Sequence, residues 1–170
     1  MSTAGTFVIT RTSALGLEGL AETFVAQDES GATQFDLKYK MHLGSQEWHV
    51  CDASGNEVAD MQRHVHLLPT YSIDRPGHPQ VTVRKRNPMP VGQAWSIEGL
   101  EAGEVTVSGS FTDHEFTFTD PSGQVVAQAS RRWATVHEAL ALRISGLDAL
   151  IAVCAAVAID ASENEDAGRR

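Results

Sequence analysis

Residues Ala149–Ile159 read ALIAVCAAVAI, eleven consecutive apolar residues between Asp148 and Asp160. Spanning a bilayer takes ~20 such residues, so this run is too short to cross one. As a helix over roughly 147–160 it is about 20 Å long, and because it is apolar on every side it has to be surrounded by protein. Its five alanines, Ala149, Ala152, Ala155, Ala156 and Ala158, keep it thin. Ser145 or Asp148 is placed to cap its start. Beyond Ile159 the chain reads DASENEDAGRR, acidic and then basic, and residues 162–170 are expected to be a disordered, solvated tail.

What surrounds that helix is written upstream. Between Thr23 and Ile144, short runs rich in Val, Thr, Ile and aromatic residues are separated by Asp/Ser/Gly or Pro/Gly clusters, the signature of strands and hairpins. EWHVCDASGNEVADMQR turns at Asp52 to Gly55, TYSIDRPGHPQVTVRKR around Pro76 and Gly77, and FTFTDPSGQVVAQASRR at Pro121 to Gly123. Lys40, Arg63 and Arg86 are 23 residues apart, and two further steps of 23 pass Gly109 to reach Arg132. Trp48 and Tyr71 keep the same spacing, followed more loosely by Trp95 and Phe116. Each unit therefore reads as a β-hairpin plus a crossing connection. An isolated hairpin is marginal in water, so the units have to associate laterally, and closing the sheet removes its edges. A strand of six or seven residues rises ~20 Å, matching the helix. The expected fold is mainly β, a closed antiparallel barrel of repeated hairpins around a central apolar helix. A two-sheet sandwich with the helix outside would need a polar helix face, and this helix has none.

The hairpin series, the segments EVADMQRHVHLLPTYSI, VTVRKR and FTDHEFTFTDPSGQVVAQASRRW, and the ending LIAVCAAVAIDA resemble the LURP-one-related proteins, which share the tubby C-terminal-like fold with tubby domains and phospholipid scramblases. The resemblance runs from roughly Phe7 to Ala161. It implies about twelve strands enclosing a carboxy-terminal helix, and one domain over residues 1–161. Tubby domains bind phosphoinositide head groups through basic residues, scramblases act on membranes, and plant members are linked to defence. The chain departs from the scramblase pattern in lacking a full-length membrane-spanning tail and an acidic calcium loop, so the resemblance does not carry scrambling activity to it.

Composition narrows the function classes. With 13 Lys and Arg against 22 Asp and Glu the formal charge is −9, which argues against bulk nucleic-acid binding. Cys51 and Cys154 read as reduced, packed thiols, and the first twenty residues carry no targeting signal, so the expected location is cytoplasmic, peripheral at a membrane if it binds one. No G-x-S-x-G, H-E-x-x-H, Walker-type or G-x-G-x-x-G element stands in a usable context, which favours a non-enzyme without a cofactor.

The basic positions are the main candidates. Lys40, Arg63, Arg84, Arg86, Arg131 and Arg132, with Lys38 and Lys85 nearby, recur at equivalent hairpin ends and would form an arc on one barrel rim suited to phosphate or carboxylate. The plainer explanation is solvated cations that protect strand ends. Lys40 and Arg86 alternate away from the apolar positions, the parity of Arg63 and Arg132 is ambiguous, and Gly109 breaks the series. Trp133, directly after Arg131 and Arg132, is the candidate membrane contact, whereas Trp48, Tyr71, Trp95, Phe116 and Phe118 read as core. His64 and His66 stand at i and i+2, a spacing used by some metal sites, with His42, His49, His114 and Asp60 as further ligands that nothing in the sequence brings together. His49 with Cys51 as base and nucleophile lacks an orienting group, and Asp113, His114 and Asp120 have sufficient cause in turn formation.

These observations favour a non-enzymatic barrel that binds an anionic ligand or an anionic membrane surface through its basic rim. The alternatives are a protein-interaction module with no small ligand, and a hydrolase or metal protein built on the histidines.

Overall fold

The computed structural model describes residues 4–16, 19–42, 45–64, 67–89, 91–134 and 139–168. Its twelve strands are β1 (Gly5–Gly16), β2 (Gly19–Gln27), β3 (Thr33–His42), β4 (Ser45–Asp52), β5 (Glu57–His64), β6 (Thr70–Asp74), β7 (Val81–Lys85), β8 (Val91–Glu98), β9 (Val105–Ser110), β10 (Glu115–Thr119), β11 (Val125–Ser130) and β12 (Leu140–Ile144). Each pairs antiparallel with its sequence neighbours, and β12 returns to β1 with Gly5 opposite Ile144 and Ile9 opposite Leu140, so the sheet is a closed barrel. Consecutive strands are adjacent throughout. The crossing connections expected from the sequence are therefore absent, because every link is a reversal between neighbours.

This topology explains the period of 23. One step covers an outward strand, a turn, a return strand and a second turn. Lys40, Arg63, Arg86, Gly109 and Arg132 lie at or just after the ends of β3, β5, β7, β9 and β11, which all run toward the same end of the barrel. That end is called the mouth below, and the opposite end the base.

The base is built from a repeated turn. Asp28–Ala32, Asp52–Asn56 and Asp120–Gln124 follow one pattern, Asp-x-Ser-Gly-x. In each, the aspartate Oδ1 accepts backbone N–H groups two and four residues on, at 2.9–3.1 Å, and the glycine sits at φ 84–87°. A side chain at that φ meets its own backbone, so glycine is required. The Ser30 and Ser122 hydroxyls also donate to the Asp28 and Asp120 carboxylates, which holds both below the usual aspartate range. The Asp28 copy was not singled out in the sequence, because its flanking runs are less apolar.

Alternation along the strands fills the interior. Trp48 and Val50 on β4, Val81 and Val83 on β7, and Phe116 and Phe118 on β10 point inward and are buried. Tyr39, Trp48 and Tyr71 form a chain of ring contacts 5.3 and 6.0 Å between centroids, and Phe111, Phe116 and Phe118 form another at 5.6 and 5.7 Å.

Helix α1 (Ala149–Gly168) starts at the base, where Asp148 caps it by accepting the Ile151 N–H at 3.2 Å. Ile151 through Ile159 are buried on every side, and the strands α1 approaches include β12 on one side of the ring and β6 and β7 on the other. The helix is therefore enclosed by the barrel. It does not end near 160. It continues through Gly168, so the expected disordered tail at 162–170 is corrected over 162–168, where Ser162 and Glu163 are buried helix residues, and Arg169 and Arg170 lie outside the described residues. A buried carboxylate survives there because partners on the wall match it, as described next.

The barrel mouth, a candidate functional site

All six cations singled out in the sequence lie at the mouth. Strand parity divides them. Arg63 has the parity of Ala59 and Met61 and turns inward, where Nη1 donates to Glu165 Oε2 at 2.6 Å and the guanidinium lies 5.8 Å from the Tyr71 ring centre. Arg131 reaches Asp160 Oδ2 at 3.4 Å, and His114 Nδ1 stands 2.7 Å from Asp160 Oδ1. His114 is the one non-glycine residue at positive φ (53°) among the described residues, so the turn before β10 holds a strained backbone that aims its ring at the helix.

Lys85, read from the sequence only as a neighbour of the candidate cations, is the most enclosed cation among the described residues. It has the inward parity of Val81 and Val83, and Nζ donates to Glu163 Oε1 at 2.9 Å with the two side chains 2% and 5% exposed. Trp95 Nε1 donates to the same oxygen at 3.0 Å, and the Tyr71 hydroxyl meets Ser162 Oγ at 2.7 Å. The signal was available in VTVRK, where a lysine continues an apolar alternation. What hid it was the assignment of its partner, Glu163, to a tail.

The remaining candidates face outward. Arg84 reaches Glu98 Oε2 at 3.5 Å, while Arg86 pairs with Glu98, stands 3.8 Å from Glu104 and donates through Nε to Ser96 Oγ at 2.9 Å. Arg132, largely exposed, reaches Glu115 at 3.0 Å. Lys40 is exposed on β3 opposite Glu47. Trp133 is partly exposed but lies back against the wall, with the Arg143 guanidinium 4.0 Å over its ring. Next to Arg84 and Arg86, Leu67 on the β5–β6 loop is fully exposed and Met89 on the β7–β8 loop is 57% exposed. Leu67, Leu68, Thr70, Arg84 and Lys85 line one shallow depression.

Inside the mouth, a cleft of about 350 Å³ is lined by Arg11, Tyr39, Gln46, Trp48, Tyr71, Ala161, Asn164 and Glu165. The buried indole Nε1 of Trp48, one of its walls, has no hydrogen-bond partner.

The described histidines do not form one site. His64 Nε2 meets Ser72 Oγ at 2.8 Å on the β5–β6 pair, and His66 and the side chain of His42 lie outside the described residues. His114 serves the helix end. Cys51 is half-buried on the same strand as His49, whose Nδ1 faces Glu57 and Asp60 rather than a thiol. No described helix is long and apolar enough to cross a membrane.

A crystal structure of a protein from Arabidopsis thaliana has the same fold, with a TM-score of 0.62 and 16% identity over 96% of this chain and 94% of that one. Among curated proteins none matches significantly. The family model for LURP-one-related proteins matches residues 6–160, the barrel and the enclosed part of its helix. This chain belongs to the LURP-one-related family.

Proposed function

We propose that the protein is a non-enzymatic binding module that docks by its mouth on an anionic phospholipid surface. One observation carries this reading: exposed apolar side chains, Leu67 and Met89, and outward cations, Arg84 and Arg86, share one sector of the rim. Apolar tips beside cations suit a membrane interface, where the apolar groups enter the acyl boundary and the cations meet phosphate. The pairing of those arginines with Glu98 does not oppose it. Exposed ion pairs of this kind are worth about 0–1 kcal/mol, so lipid phosphate can replace the carboxylate. The inward set, Arg63, Lys85 and Arg131, holds the helix instead and is not counted as lipid-contacting. Lys40 and Arg132 lie on other sectors of the rim and add to its field, and Trp133 flanks it.

Co-sedimentation with neutral and anionic vesicles at two salt concentrations tests this. The expected result is binding to anionic vesicles alone, weakened by salt and reduced at least tenfold in an Arg84→Glu/Arg86→Glu/Leu67→Ser variant that melts like wild type. Absence of binding, or equal binding by the variant, overturns it in favour of a protein partner.

A further inference from the structure

A second cluster lies on the outer wall, away from the mouth sector used above. Glu47 and His49 are two residues apart on β4 and share its outer face, and Asp60 on β5 is the register partner of His49. One ligand atom from each of these three residues lies within 4.8 Å of the other two. Glu57, at the start of β5, adds another carboxylate: His49 Nδ1 stands 2.8 Å from Glu57 Oε1 and 2.9 Å from Asp60 Oδ1.

An imidazole Nδ1 carries at most one hydrogen, so it cannot satisfy both carboxylates. Glu57 takes that hydrogen bond. Asp60 is left with Oδ1 buried and without a hydrogen bond. His49 Nε2 is likewise buried without a partner. The ammonium groups flanking the cluster on β3, Lys38 opposite His49 and Lys40 opposite Glu47, do not satisfy these atoms. Two strands thus bring one imidazole and two carboxylates within ligating reach of one another, with the Asp60 carboxylate short of a partner and Glu57 held at the imidazole Nδ1. A divalent cation would fill that deficit.

We propose that Glu47, His49 and Asp60 form a site for a divalent transition-metal ion, with Zn²⁺ the ion that suits one nitrogen and two carboxylate ligands. Alkaline-earth ions favour all-oxygen sets, whereas Zn²⁺ takes imidazole and carboxylate together. Bond lengths of about 2.0–2.2 Å place tetrahedral ligand atoms about 3.3–3.6 Å apart, so the cluster closes on an ion by side-chain rotation without moving the strands. Three protein ligands leave a fourth position for water. The ion would clamp β4 to β5 on the outside of the barrel.

Calorimetric titration of the chelator-treated full chain with Zn²⁺ tests the site. One equivalent is expected to bind, with affinity at least tenfold weaker in His49→Ala and in Asp60→Asn, and unchanged within about twofold in His64→Ala. Asp60→Asn preserves shape, so it decides the matter even where His49→Ala loosens the wall, and circular dichroism reports folding of each variant. Absence of binding, or wild-type affinity in both His49→Ala and Asp60→Asn, overturns the proposal, as does a loss confined to His64→Ala.

Discussion

Gly109 occupies the fourth position of a series whose other members are Lys40, Arg63, Arg86 and Arg132, and its backbone explains the gap. A Cβ there would lie 2.2 Å from the Glu115 carbonyl oxygen and 2.8 Å from Phe116 Cα, at φ 153°. The position faces the backbone of β10, so no side chain fits and the cationic series has to skip it. Gly109→Ala is expected to destabilise the barrel by about 2–3 kcal/mol, read as a lower midpoint in urea, because the clash is with backbone that cannot swing aside. An unchanged midpoint would mean that β9 and β10 are not in this register.

At the scale of the element, the helix shows how one ion pair extends a secondary structure. Ala149–Ile159 is held by apolar enclosure, but Asp160–Gly168 carries carboxylates that favour water, and burial of Glu163 is tolerable only because Lys85 and Trp95 both donate to it. Asp160 and Glu165 are tied in the same way to His114, Arg131 and Arg63. The mouth is thus an inward ring of cations closed on the acidic end of the helix. Glu163→Gln leaves the Lys85 charge buried without its counter-ion and is expected to cost about 3 kcal/mol in thermal or urea unfolding, whereas Lys85→Met/Glu163→Leu should recover most of that loss. A neutral single variant would show that the pair is solvated.

At the scale of the whole molecule, closure surrounds Cys154, the middle of the apolar run Ala149–Ile159, with walls all round, and burial pushes its thiol up to about 12. The folded chain therefore keeps this proton while the unfolded chain releases it near pH ~8.5, so stability from this group is complete below that value and is lost as pH rises toward 12. In thiol labelling at pH 8, Cys51 should react in the native protein and Cys154 only through global unfolding; equal rates would mean that the helix is not enclosed. The sequence by itself determined the architecture. An eleven-residue run without a polar face has only one kind of stable surrounding, and Asp/Ser/Gly or Pro/Gly clusters between apolar runs specify hairpins locally. It also placed the cations at equivalent strand ends, since a repeat of fixed length returns to the same end of a barrel. Only the tertiary structure decided which of them meet the helix and through which carboxylates, that Glu163 belongs to the core, and that His49 meets Glu57 and Asp60. Each of those outcomes depends on register and closure, which join residues far apart in the chain and leave no trace in local spacing.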